Sequence, residues 1–293
     1  MGSEMSLATM SATSLRDKAL EAVSKLPPFS PVLNKLMASL ADENISFAYL
    51  AGVIEKDTVL AGSVLRLVNS AFYARRGTVN SVKHAVSVLG ISKLRNLSMS
   101  MSLARMWNSA GLPQTWSSRS FNQHAVASAI LADQLAVELD APYAEGAFTA
   151  GLLQNVGLVL VAVGLPAQYT NVIEAYKTGA GTLGDYEDGY LGVTHGQLSG
   201  EVLNRWHLPE PIVDAVARHH GPHLPGQPNP LSRMVELGDE MAGQRGILTQ
   251  PWLRKPEGTP EDVLASLGLP SDRAQRILDN FTGEYQAIKS IFE

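Results

Sequence analysis

The sequence contains no cysteine, which excludes disulfides, thiolate nucleophiles, iron–sulfur clusters and cysteine-ligated zinc together. Aromatic residues make up only 6% of the 293 positions. They are sparse near the basic residues, so the stacking platforms of a nucleic-acid binder are disfavoured. No charge-free apolar span reaches the ~20 residues of a membrane helix, because the longest run, FTAGLLQNVGLVLVAV from Phe148 to Val163, is shorter and is interrupted by Gln154 and Asn155. The first residues lack a basic region followed by an apolar one, so no secretory signal is read and a cytoplasmic protein is expected.

Charge of one sign is also missing locally. Residues 58–132 hold no Asp or Glu but carry Arg66, Arg75, Arg76, Lys83, Lys93, Arg95, Arg105 and Arg119. Between 133 and 201 the sign reverses, with nine acids against Lys177 alone. Such blocks either steer an anionic ligand or a complementary protein surface, or neutralise each other within the fold or across a self-association interface.

What the chain does have is apolar content, 45%, enough for a large core, which rules out a fibrous or disordered chain. The run 148–163, rich in Ala and Leu and free of Pro, predicts one helix at the centre of a helical domain. Its buried amide pair must find hydrogen-bond partners, and histidines from other segments are the expected ones. Around it the pattern predicts short amphipathic helices on changing axes: 15–26, stopped by Pro27 and Pro28; 32–40; one capped by Ser46; and one capped by Asp57 or Thr58. Two more flank Gly90, and their Met99, Met101 and Met106 read as core filling. A helix over 121–139 carries His124 and an Ala face, Ala125, Ala129, Ala132 and Ala136, suited to close helix approach. From Leu183 a continuous helix would align Gly184, Gly192, Gly196 and Gly200 beside His195. A helix opened by proline places His219 and His220 in its last turn. Beyond Pro230, Thr259 with Asp262 predicts a capping box, and a final helix spans about 271–292. The expected layout is a frayed segment 1–14, a helical domain 15–223, and an extension 224–293 that packs on it or forms a small subdomain.

His124, Gln154, Asn155, His195, His219 and His220 converge from separate helices and look like the remains of a metal site. No carboxylate stands at Asn155, and Gln154 offers no imidazole nitrogen, so neither a bound metal nor another cofactor is expected. Residual hydrolysis would need an additional carboxylate such as Asp185 or Asp188.

The segments LPPFSPVLNKLMASL, VLAGSVLRLVNSAFYARRGTVNSVKHAVSVLG, AFTAGLLQNVGLVLV and HGQLSGEVLNRWHLPEPIVDAVARHHGP resemble the HDOD family, the catalysis-deficient relatives of the metal-dependent HD phosphohydrolases. The resemblance implies an all-α, compact, irregular multi-helix bundle. It sets His124 at the first HD histidine, Gln154-Asn155 where His-Asp would stand, His195 near the later ligand region, and His219-His220 at the family's double histidine. It implies a stand-alone, non-catalytic regulatory module with a protein partner in a bacterial signalling pathway. The alternatives are a metal-independent nucleotide sensor, in which Arg75, Arg76, Lys83, Arg95 or Arg119 meets phosphates, and a residual phosphohydrolase. In the NSAFYARRG loop, Phe72 and Tyr73 serve as anchors while Arg75 and Arg76 meet an anion or acidic partner, or solvate the loop.

Overall fold

The computed structural model describes residues 15–42, 44–73, 78–221 and 230–292. The segment 1–14, the stretch 224–229, and Arg75 and Arg76 lie outside the described residues. Within them every regular element is helical, as the composition and periodicity imply.

The N-terminal helices are α1 (15–21), α2 (Pro31–Ala38), α3 (Phe47–Ile54), α4 (Thr58–Val68), α5 (Val82–Leu89) and α6 (Ile91–Asn108). Their starts follow from short polar side chains that satisfy the first free backbone N–H groups. Ser30, Ser46, Asp57 and Ser81 each accept from the backbone three residues on. Gly90, at φ 81°, turns α5 into α6 in a conformation closed to most side chains. Met99, Met101 and Met106 are buried in the core.

Asn69 organises the chain after α4. Its amide donates to the Leu65 and Val79 carbonyls at 2.8 and 2.7 Å and accepts from Val79 N at 2.8 Å, closing the loop that contains Phe72 and Tyr73. Phe72 lies so close to Gly283 that a Cβ there would come within 2.6 Å of two ring atoms, so the aromatics anchor this loop to the C-terminal part of the chain. Replacing Asn69 by Ala strips three hydrogen bonds from partly buried backbone, and a loss of about 1–3 kcal/mol is expected in urea melts.

The middle of the molecule is α7 (Ser118–Glu138), with α8 (Ala147–Leu153), α9 (Val156–Gly164) and α10 (Pro166–Thr178). The Ala face of α7 admits close neighbours on two sides. A Cβ on Gly151 of α8 would fall 2.8 Å from the Ala129 Cα, and one on Gly238 would fall 2.7 Å from the Ser128 carbonyl. Gly238 belongs to α14 (Leu231–Gln244), which lies along α7 and α8, while α15 (Pro260–Ser266) connects to α16 (Ser271–Lys289), also against α7. Thr259 and Asp262 form the expected capping box.

The central run is two helices, not one. Ser199 intrudes at the break: its Oγ donates to the Gln154 carbonyl at 2.6 Å and accepts from Gly157 N at 2.8 Å. An inserted hydroxyl that takes over helix-ladder groups is a recognised cause of a helix break. Residues 144–164 are long and apolar enough to cross a membrane by composition, yet they are almost wholly buried inside the bundle.

The glycine-rich segment is likewise divided, into α11 (Leu183–Leu191) and α12 (His195–Arg205). Gly192, at φ 68°, ends the first helix, and Thr194 with Gln197 forms the capping box that starts the second. Gly196 and Gly200 provide the close approach anticipated for them, facing α13 (Glu210–Ala217) and the turn that follows it. Gly184 has no such tight contact.

Candidate functional site

Six polar side chains anticipated from the sequence come together where α7, the α8–α9 break, the start of α12 and the end of α13 meet. His124, Gln154, Asn155, His195 and His219 are buried, and His220 reaches solvent. His219 and His220 lie in the turn beyond α13 rather than in its last helical turn.

The partners of the amide pair differ from the expected histidines. The Gln154 amide donates to Ser128 Oγ at 2.7 Å and to Asp239 Oδ1 at 3.0 Å. A carboxylate can only accept, which fixes the orientation of the amide. Among the described residues, the Asn155 side chain makes only a long hydrogen bond, donated to Thr249 Oγ1 at 3.5 Å. Asp239, from α14, is the carboxylate that sequence reasoning missed, and it sits inside the centre.

His124 completes this half. Its Nε2 lies 2.8 Å from Asp239 Oδ1 and its Nδ1 2.7 Å from the Ile247 carbonyl. Both partners are acceptors, so both ring nitrogens carry protons and the ring is an imidazolium. Burial alone would lower the His124 pKa, but the Asp239 charge and hydrogen bond, with the Ile247 carbonyl, raise it above the ordinary value. Burial would raise Asp239, yet His124, followed by the charges of His220 and His219, holds the carboxyl well below the usual range.

The other half is a histidine cluster. His195 Nδ1 donates to Glu187 Oε2 at 2.7 Å, and the His195 backbone N–H reaches the same oxygen at 2.9 Å. Burial opposes protonation of His195, but Glu187 outweighs it and raises the pKa. His219 Nδ1 donates to the Val216 carbonyl at 2.7 Å. Burial, then the neighbouring His220 and His195, depress His219 strongly, and His220, which reaches solvent at one edge, is lowered by desolvation of the ring where it packs on the other two imidazoles and by the charge of His195. Ring centroids are 5.3 Å apart for His195–His219, 5.0 Å for His195–His220 and 4.0 Å for His219–His220.

The carboxylates anticipated for residual metal chemistry are elsewhere. Asp185 caps the Thr182 end of α11, and Asp188 lines an adjoining cleft. Glu187 and Asp239 are the acids within the centre. Each had a local signal: Glu187 stands between Leu183 and Leu191 at helical spacing, and Asp239 stands between buried Val235 and Ala242. A cavity of about 130 Å³ opens beside His124, Asn155, His195 and Asp239, with Arg254 in its wall. Arg254 is held by the Gly179 and Gly181 carbonyls and lies 4.1 Å over the Tyr176 ring.

Of the suggested anion contacts, Arg95 is buried and donates to the Ser39 carbonyl at 3.0 Å, so its fork is turned into the fold. Lys83 and Arg119 are on the surface. Lys93 and Arg105 pair with Glu284 and Asp57, acids outside the 133–201 block.

The residues at the amide pair do not fit a dinuclear hydrolytic centre. Gln154 presents an N–H where an imidazole lone pair is required, and the Asp239 oxygen it occupies is shared with a protonated histidine.

The architecture has clear relatives. An HDOD domain protein from Geobacter sulfurreducens superposes with a TM-score of 0.74 at 20% identity, covering 96% of this chain and 97% of that one. A protein from Shewanella amazonensis named as a phosphohydrolase gives 0.74 at 21%, covering 94% and 98%. One from Marinobacter aquaeolei named for signal transduction gives 0.69 at 24%, covering 96% of this chain and 66% of its own. An uncharacterised protein from Treponema pallidum is 24% identical over 231 residues, which make up 78% of this chain but only 44% of that protein. These identities speak for the fold alone. The HDOD domain pattern matches residues 26–222, more than half of the chain and every segment of the polar centre except the helix carrying Asp239 and the stretch with Ile247 and Thr249 that follows it, and the chain therefore belongs to the HDOD domain family.

Proposed function

We propose that this chain is a non-hydrolytic regulatory module of signal transduction that works by contact with a protein partner. The observation that carries the reading is the Asp239 carboxylate, closed by the Gln154 amide and the His124 imidazolium on one oxygen. A hydrolase of this architecture needs a free carboxylate and lone-pair donors to hold the ion that activates water. Here the same positions form an internal ion pair and hydrogen-bond network, which stabilises the bundle rather than reacting.

Two further features support a protein partner. Phe47, Tyr49 and Val59 stand 54%, 48% and 62% exposed near the starts of α3 and α4, which places apolar surface on the N-terminal helices. The cleft beside the histidines is lined by Asp185, Asp188 and Glu236, acids that oppose a nucleotide phosphate. The Marinobacter aquaeolei neighbour, named for signal transduction, is consistent with the same reading.

Incubated with Mn²⁺, Fe²⁺ or Mg²⁺ and bis(4-nitrophenyl) phosphate or a cyclic dinucleotide, the intact chain is expected to release product no faster than the metal-only blank. A protein-dependent rate that requires the metal would overturn the proposal.

A further inference from the structure

We infer that the groove between α4 and α6 is the seat of a protein partner, and that it takes an apolar side chain flanked by carboxylates. The inference rests on the reading of a regulatory module and names the surface and the chemistry of its partner. Val59, Ser63 and Arg66 follow one another at helical spacing along α4, and Met101, Arg105 and Asn108 do so along α6, so each helix turns one stripe outward to the groove. Between the stripes a cavity of about 250 Å³ has apolar walls of Val59, Leu60, Met101 and Ala104, completed by Ile291 and Phe292 beyond α16. That is less than the roughly 300–1,000 Å³ of a small-molecule site, and it suits a single anchoring side chain.

Charge at the rim selects what stands beside the anchor. No acid lines the cavity, and α4 and α6 both fall in the block that holds no Asp or Glu. Arg105 donates to the two Asp57 oxygens at 3.3 and 2.8 Å, so those two charges cancel. Arg66 is left over: it is exposed, donates to Ser63 Oγ in the groove wall at 3.3 Å, and has no acidic partner among the described residues. A carboxylate next to the anchor therefore gains a cation that the fold does not neutralise, whereas a basic partner is repelled. Complementarity of this kind governs the choice of partner and the rate of encounter more than affinity. Affinity comes from covering apolar surface, of which the largely exposed Val59 is the main piece, over the soft thioether of Met101.

The test selects binders to the intact chain from a displayed library of random peptides and measures one enriched peptide, made synthetically, by fluorescence anisotropy. Enrichment of Leu, Met, Phe or Trp flanked by Asp or Glu is expected. Val59→Glu should weaken that peptide about ten-fold or more, and Arg66→Gln about three-fold at low salt and less at high salt. Val137→Glu, on the exposed side of α7, should bind as wild type. Should Val59→Glu also shift the melt, a photo-reactive group placed beside the anchor decides on the wild-type chain: cross-links to α4 or α6 are expected, and cross-links elsewhere overturn the groove. No saturable binder, enriched sequences that are basic or lack an apolar anchor, or equal affinity in Val59→Glu would each overturn it. Sedimentation should not change in Val59→Glu; a self-associated wild type that this substitution dissolves would assign the groove to a second copy and overturn the partner. Tight peptides that ignore Val59 would sink the groove and leave a partner surface elsewhere, whereas metal-dependent turnover of a phosphodiester would contradict the regulatory reading itself.

Discussion

Asp239→Ala is expected to lower the stability of the chain by about 3–5 kcal/mol, because it leaves the His124 imidazolium buried without its counter-charge and removes one acceptor from Gln154. The loss should depend on pH, with a sign that follows from both partners. Asp239 is held below the ordinary carboxylate range, so its contribution is present above about pH 4 and fades as pH falls toward the depressed value. His124 is held above the ordinary histidine value, so its contribution is complete below about pH 6.5 and fades as pH rises through the raised value. Wild type and variant should therefore differ most between those two limits and converge on either side. Urea melts across that range check the prediction, and a difference independent of pH would mean that the pair is not ionised.

Gly157→Ala is expected to be at least as damaging, by about 4 kcal/mol or more and a Tm fall of about 10 °C or more, for a steric reason. A Cβ at Gly157 would lie 2.1 Å from the His195 carbonyl oxygen and 2.8 Å from its carbon. Those atoms are backbone at the start of α12, so relief requires moving α12 off α9. The same movement would break the Ser199 bridge to Gly157 N and the Gln154 carbonyl. Gly62→Ala in α4 is the control: nothing lies within 4 Å of its Cβ position, and the gain in helix propensity should stabilise by ~0.5–1 kcal/mol. Thermal melts of the two variants side by side give the comparison.

The contrast between these glycines also marks what the sequence could and could not convey. Features fixed by neighbours along the chain were legible: the caps at Ser46, Asp57 and Thr259, the buried methionines, and the Ala face of α7. The convergence of His124, Gln154, Asn155 and the later histidines was legible too, because each stands in an apolar segment expected to pack into the bundle. Features that depend on a partner distant in sequence were not. The break between α8 and α9 is made by Ser199, a residue with no local mark, and the run, free of Pro and rich in Ala and Leu, read as one helix despite the polar pair that stands at the break. Arg95 read as a surface cation because its burial comes from a contact with the Ser39 region, more than fifty residues away. Asp239 and Glu187 each carried a weak mark, an acid inside an apolar stripe, that was outweighed by the nearer and more numerous acids around Asp185 and Asp188.

The protonation of the histidines tests the polar centre most directly. In metal-free protein labelled with ¹⁵N in the imidazoles, His124 is expected to keep both ring protons to a pH above the ordinary histidine value of about 6.5, while His219 and His220 lose theirs below it. That split, read residue by residue in one titration, is the signature of an Asp239 carboxylate neutralised from within. A His124 ring that titrates at or below the ordinary value, with a free lone pair at neutral pH, would contradict it and restore a ligand to the site.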